Sequence, residues 1–163
     1  MILEVGALAS HFTLLGIDGR EYSLPGSLGG RPAVLVFFKT SCGTCDVAFP
    51  YINGLREAYP GDAWRLWAVS QDPPGRTIDY AQRQGITYPV LLDAPAFAVS
   101  KLYDPPATPT LFLVDRAGGI AYSTHGFVKS DVNELSRLLA AEIREAPVQV
   151  AAANDGRPDF KPG

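Results

Sequence analysis

Val34-Leu35-Val36-Phe37-Phe38-Lys39-Thr40-Ser41-Cys42-Gly43-Thr44-Cys45 is the stretch from which the rest of the chain can be read. Residues 33–38 form an unbroken apolar run rich in β-branched and aromatic side chains, the pattern of a strand covered on both faces. A short polar turn comes next, and then two cysteines three residues apart open a helical pattern. From about Gly43 to Tyr59, spacings of three and four set Cys45, Phe49, Ile52, Leu55 and Tyr59 on one face. Pro50 lies inside this helix, removes a backbone donor and predicts a kink, while Pro60-Gly61 ends it. Cys42 and Cys45 are the only cysteines in the chain. A helix start presents unpaired N–H groups and partial positive charge, which favours a thiolate on the first sulfur. Thiolate is the attacking species in disulfide exchange, so the pattern supplies a nucleophile, Cys42, and a resolving partner, Cys45. A purely structural disulfide in so small a ring would add little through chain entropy.

Working outward, a chain of 17.5 kDa with 47% apolar and 19% charged residues is globular and long enough to bury its own core. A net charge of −3 with no basic block argues against nucleic acid as a partner. No apolar run reaches the roughly 18 residues of a membrane span. Met1 to Gly6 lacks a basic segment followed by a long apolar one, so no secretion signal is visible. The expected location is cytoplasmic, unless an export segment has been removed, and a lone cysteine pair fits a reducing compartment. A monomer is expected.

Ahead of the central strand, residues 1–11 are an irregular lead-in. Phe12–Leu15 and Glu21–Leu24 then form a predicted hairpin about Asp18-Gly19. Pro25 to Pro32 is a Gly- and Pro-rich loop. Beyond the cysteine helix, Trp64–Ser70 is a predicted strand and Asp72–Gly75 a turn, followed by a short helix over Thr77–Gln84 and a strand over Tyr88–Leu92. One or two helical turns over Phe97–Tyr103 precede an antiparallel pair, Thr110–Val114 and Ile120–Ser123. Ser130 is the expected N-cap of a last helix, whose stripe is Val132, Leu135, Leu138, Leu139 and Ile143 and which Pro147 stops. Trp64, Trp67, Tyr88 and Phe112 fall at strand spacing and are expected in the core. The pattern defines an α/β fold, a three-layer arrangement of a central mixed sheet with helices on both faces and an added N-terminal hairpin. Residues 1–147 form one domain, and residues 148–163, rich in Ala, Gly, Pro and Asn, are expected to be a weakly ordered tail. Cys42 falls at the carboxyl edge of the sheet, where such folds hold their sites.

The chain resembles thioredoxin-fold thiol–disulfide oxidoreductases of the TlpA-like and redoxin branch, related to the AhpC/TSA proteins, over about residues 5 to 145. The resemblance rests on the lead-in Val5 to Leu14, on Cys42-Gly43-Thr44-Cys45, on Val69-Ser70-Gln71-Asp72, and on Ala107 to Asp115 with its Thr108-Pro109. It implies a cis-proline at Pro109 facing the cysteines and a substrate peptide pairing with the backbone at Thr108 and Pro109. It also implies a disulfide-bearing protein substrate, a thiol electron donor and no cofactor. The sequence departs from the pattern at Ser41, often Trp in thioredoxins, at Val36, where many carry a buried acid, and at Ala48, a glutamate in ResA-like relatives. Those departures leave the proton acceptor for Cys45 unassigned. Lys39 is the only charged side chain between Val34 and Cys45. Two readings stand for its ammonium: a lysine snorkelling to solvent at the strand end, the preferred one, and a charge close enough to favour a Cys42 thiolate. Ser41, Gly43 and Thr44 flank the sulfurs and are expected to modulate the pair with it.

Two other chemistries fit a paired thiol less well. A peroxiredoxin-like thiol peroxidase shares the fold, but its PxxxTxxC pattern would need proline at Leu35 and threonine at Lys39. A copper(I)-binding chaperone would use the same thiolates. Zinc would require a second ligand pair, and His11 and His125 are isolated, so no metal is expected. Gly29-Gly30 and Gly118-Gly119 lack the spacing of a phosphate loop.

Overall fold

In the computed structural model, which describes residues 1–163, the chain runs β1 (Phe12–Gly16), β2 (Glu21–Leu24), β3 (Ala33–Phe38), α1 (Gly43–Ala58), β4 (Arg65–Ser70), α2 (Pro74–Arg83), β5 (Val90–Leu92), α3 (Ala98–Tyr103), β6 (Thr110–Val114), β7 (Ile120–His125), β8 (Phe127–Val128), α4 (Lys129–Ile143) and β9 (Phe160–Lys161). Seven strands make one mixed sheet in the order β2-β1-β5-β4-β3-β6-β7. Every residue of β3 is buried, because it lies inside the sheet, parallel to β4 and antiparallel to β6, with packed side chains on both faces. Successive residues of a strand point to opposite faces. Val34, Val36 and Phe38 therefore join a core with α1, α2 and α4, while Ala33, Leu35 and Phe37 join a second core with Trp67, Phe112 and α3. The predicted hairpin is present as β1 and β2, and β1 docks antiparallel on β5. No helix is long and apolar enough to cross a membrane.

Several boundaries differ from the sequence expectations. α2 starts at Pro74 instead of Thr77, since proline at the first helical positions gives up an N–H that has no helical partner anyway. β5 is shorter than expected and begins after Pro89. Ser130 is not the N-cap of α4, because Val128 holds that position with no side-chain cap. The Lys129 N–H instead reaches the Asp159 carbonyl at 3.0 Å, so a distant segment replaces a capping side chain. α1 continues through Pro50.

The expectation of a weakly ordered tail needs correction. Residues 148–163 pack against α1 and α4 through hydrogen bonds with polar groups of those helices. Val148 N–H donates to the Tyr59 hydroxyl at 2.8 Å, and the Ser136 hydroxyl donates to the Val148 carbonyl at 2.6 Å. Asn133 makes two bonds with the Ala151 backbone, both at 2.9 Å, and Ala151 is buried. The Lys129 ammonium, almost wholly buried, donates to Asp155 at 2.6 Å and to the carbonyls of Ala152 and Arg157. Tyr51 also donates to Asp155. Finally β9 pairs antiparallel with β8, Phe127 opposite Lys161 and Val128 opposite Phe160.

The sheet core and the tail packing can each be tested at one position. Phe112 is fully buried with its ring edge-on to Phe37 at 5.7 Å and Tyr103 at 5.3 Å. Phe112→Ala should lower stability by about 3–5 kcal/mol, read as a lower urea midpoint at unchanged m-value. Asp155 is held well below the ordinary carboxylate value of 3.8, first by its hydrogen bond from Lys129 and next by that from Tyr51. A depressed folded pKa adds stability above the unfolded value and loses it as pH falls through the folded one. Wild type should therefore exceed Asp155→Asn in stability at neutral pH, and the gap should narrow as pH is lowered below 3.8. A gap that widens in acid would refute the anchor.

Candidate active site

At the carboxyl end of β3 the chain turns through Lys39, Thr40 and Ser41 into α1. Asp72, just past β4, pins this turn by accepting the Thr40 N–H at 2.7 Å, and the Gln71 N–H bonds the Phe38 carbonyl at 3.1 Å. Cys42 is the N-cap of α1 in extended conformation, and its Sγ accepts the Cys45 N–H at 3.0 Å. A capping sulfur thus satisfies one of the helix's free donors, in the way a serine or aspartate oxygen does elsewhere. From the opposite side the Cys42 thiol donates to the Thr108 carbonyl at 3.2 Å. The Thr108–Pro109 peptide is cis, in agreement with the resemblance.

Both cysteines are free thiols, and they differ sharply in exposure. Cys42 is half-buried, whereas Cys45 is fully enclosed on the inner face of α1. Burial pushes the Cys45 thiol well above its ordinary value, with the hydrogen bond to Cys42 acting in the same direction. A backbone hydrogen bond from Lys39 and the Thr108 side chain oppose it weakly.

The other residues singled out from the sequence divide into two groups. Thr108 is half-buried and Pro109 buried beside the sulfurs, and Thr44 is buried with its hydroxyl donating to the Pro162 carbonyl. Lys39, Ser41 and Gly43 are exposed. The Lys39 side chain forms no ion pair, and what touches the cysteines is its backbone, including the carbonyl that accepts the Cys42 N–H at 3.4 Å.

Three contributors are not evident from the sequence pattern. Asp72 looks like a turn residue, although Ser70-Gln71-Asp72 after a strand carries the polar groups to brace a neighbouring turn. Tyr80 stacks on Phe38 and donates to Asp46 at 2.8 Å, tying α2 to the residue after Cys45. Burial, and then the bond to Asp46, raise its hydroxyl far above the usual tyrosine range. Residues 159–163 lie along the site from the far end of the chain, which no local pattern could announce.

A strand-to-helix corner that exposes one thiol, buries the second and sets both against a proline loop defines a thioredoxin-fold thiol–disulfide oxidoreductase. The model of the AhpC/TSA family matches residues 5–123, and the chain belongs to that family. It is 30% identical over 134 residues to the thiol-disulfide oxidoreductase ResA of Geobacillus thermodenitrificans, covering 81% of this chain and 76% of that protein. Among solved structures it is similar to a candidate thiol:disulfide interchange protein DsbE from Chlorobium tepidum, with a TM-score of 0.78 and 27% identity over 86% of this chain and 99% of that one. It is also similar to a candidate protein disulfide isomerase from Bacteroides thetaiotaomicron, with a TM-score of 0.79 and 26% identity over 88% and 92% of the two chains.

The raised Cys45 pKa has a sign that can be tested. The folded, reduced protein retains this proton where the unfolded chain sheds it, so stability from Cys45 is full below its ordinary 9.0 and lost as pH rises toward the folded value. Urea unfolding of the reduced protein should show wild type losing stability faster than Cys45→Ala above pH 9.0. Parallel curves through that range would contradict the burial argument.

Proposed function

We propose that the chain reduces disulfides in a partner protein, with Cys42 as nucleophile and Cys45 as resolving thiol. One observation carries this reading: Cys42 Sγ caps α1, accepts a helix N–H at 3.0 Å and remains half-exposed, while Cys45 waits beneath it. In the first step Cys42, as thiolate, attacks one sulfur of the partner's disulfide. The S–S bond breaks, a mixed disulfide forms, and the other partner sulfur leaves as a thiolate. Negative charge on Cys42 before attack is met by the Cys45 N–H and by the positive end of α1.

In the second step Cys45 gives up its proton and attacks Cys42 Sγ, closing the Cys42–Cys45 disulfide and expelling the second partner sulfur. Burial keeps Cys45 protonated between turnovers, so it does not compete with Cys42 for substrate. Ala48, where relatives carry an acid, offers no acceptor for that proton. The partner thiolate released in the first step takes up that proton once the mixed disulfide has opened the site and Cys45 is less enclosed, and the reaction balances: one disulfide and two enzyme thiols become two partner thiols and one enzyme disulfide. A dithiol donor then restores the reduced pair. The backbone at Thr108 and Pro109 lies beside the reacting sulfur and is the natural place for an extended substrate segment to dock.

Insulin reduction, followed as precipitation of the freed chains, tests the assignment. Cys42→Ser should fall to the rate of the thiol reductant alone, and Cys45→Ser should accumulate a mixed disulfide on Cys42 detectable by mass spectrometry. Undiminished insulin reduction by Cys42→Ser would overturn the proposal, as would peroxide consumption by a protein unable to exchange disulfides.

A further inference from the structure

The segment Asp159–Gly163 is built differently from the rest of the tail. Upstream, residues 148–157 are held by side chains of Tyr59, Ser136, Asn133 and Lys129. From Asp159 onward the contacts are to backbone, with two exceptions: the Thr44 hydroxyl on the Pro162 carbonyl, and a 3.5 Å approach of Lys129 to the exposed Asp159 carboxylate. The Asp159 carbonyl takes the Lys129 N–H, and Phe160 and Lys161 pair with β8. Phe160, the one large apolar side chain of the segment, is exposed, so no apolar burial fastens the strand down.

The same segment runs to the reacting sulfur. A Cβ placed on Gly163 would stand 2.8 Å from the Thr108 carbonyl oxygen and 2.7 Å from Ala107 Cβ, so the chain there is flush against the loop that holds Cys42 Sγ. On the other wall Gly126 has φ +68, and a Cβ on it would meet the Lys161 oxygen and the Gly163 nitrogen at 3.1 Å. Pro106, Ala107, His125 and Gly126 on one side and Phe160, Pro162 and Gly163 on the other line an open cleft beside this contact. Backbone pairing to a strand edge accepts any extended polypeptide, whatever its sequence.

We infer that the surface formed by β8, Thr44 and the Ala107–Thr108 backbone is the docking groove for an extended segment of a disulfide-bearing protein, and that residues 159–163 are its resident occupant, displaced when the partner binds. This rests on the oxidoreductase reading of Cys42. A partner strand entering the groove takes over the β8 pairing and the Thr44 hydroxyl, and it brings its disulfide alongside Thr108, where Cys42 Sγ already sits. The upstream anchor on Lys129 stays in place, so the displaced strand remains tethered and returns after product leaves.

The test compares the full chain with a variant lacking residues 159–163 and with full-length Gly163→Ala, whose added methyl collides with the Thr108 carbonyl and pushes the strand outward. Each is assayed with insulin, which needs the groove, and with cystamine, a small disulfide that needs only the half-exposed sulfur. Removing the strand should raise kcat/KM for insulin about fivefold, the factor for a groove open about one-fifth of the time, mainly through KM. Gly163→Ala should shift in the same direction by less, and cystamine rates should stay unchanged. A synthetic peptide spanning residues 158–163 should inhibit the truncated form competitively with insulin. Unchanged or lower insulin kcat/KM in both variants, with cystamine reactivity intact, would overturn the groove assignment and leave the proposed reaction standing. Loss of cystamine reactivity in the full chain itself would instead overturn the reaction, and this inference with it.

Discussion

The site depends on the burial of β3 on both faces. A strand so enclosed cannot shift by one residue without sending Val34, Val36 and Phe38 into the wrong core. Its end is therefore fixed in space, and so is the turn that launches α1. Asp72 and Gln71, on the neighbouring parallel strand's exit, bind that turn from the side, and β6 brings Pro109 and Thr108 up against it through antiparallel register with β3. Cys42 is placed by three strands and by the helix that it caps.

This placement makes two chemically identical groups unequal. The helix axis runs inward from Cys42, so one turn later Cys45 lies under packed side chains of the larger core. The N–H of Cys45 supports charge on Cys42, while desolvation resists charge on Cys45. In the proposed reaction the order of attack would come from depth along one helical turn, without a dedicated acid or base beside either sulfur. Burial would set the sequence of events there without an acid at Val36 or Ala48.

Much of this was legible in the chain because local signals and long-range packing agreed. The apolar run of β3, the cysteine spacing, the Asp18-Gly19 turn and the Thr108-Pro109 step each mark a structure within a few residues of themselves. Errors fell where local rules were overridden. Pro74 reads as a turn residue until its missing N–H is seen to suit a helix start. Ser130 has the right chemistry for a cap, but the helix begins earlier, with Val128 at the N-cap and the Asp159 carbonyl taking the Lys129 N–H. Asp131, in the first turn of α4, accepts from the Thr124 hydroxyl at 2.8 Å. The tail deceived most. Its small residues show no periodicity, and its partners on α4, Lys129, Asn133 and Ser136, look like an ordinary solvated face when read in sequence alone.

Those same partners join the folding of α4 to the wall of the site. Lys129 gives its backbone N–H to Asp159 and its ammonium to Asp155, Ala152 and Arg157. A single residue thus starts the last helix and gathers the strand that lies along Thr44 and Thr108. The buried ammonium could not remain charged at that depth without the carbonyls and carboxylate the tail supplies. Conversely, the tail has too little apolar surface to stay down without the ammonium, since Ala151 is its one buried hydrophobic residue. Each element supplies what the other lacks, and their union forms the wall opposite the proline loop. An oxidoreductase with an open strand edge beside its nucleophile would expose unpaired backbone to every extended chain it met. Covering that edge with a segment held mainly through its own backbone protects the site against casual pairing, while leaving it open to any partner strand that pairs better.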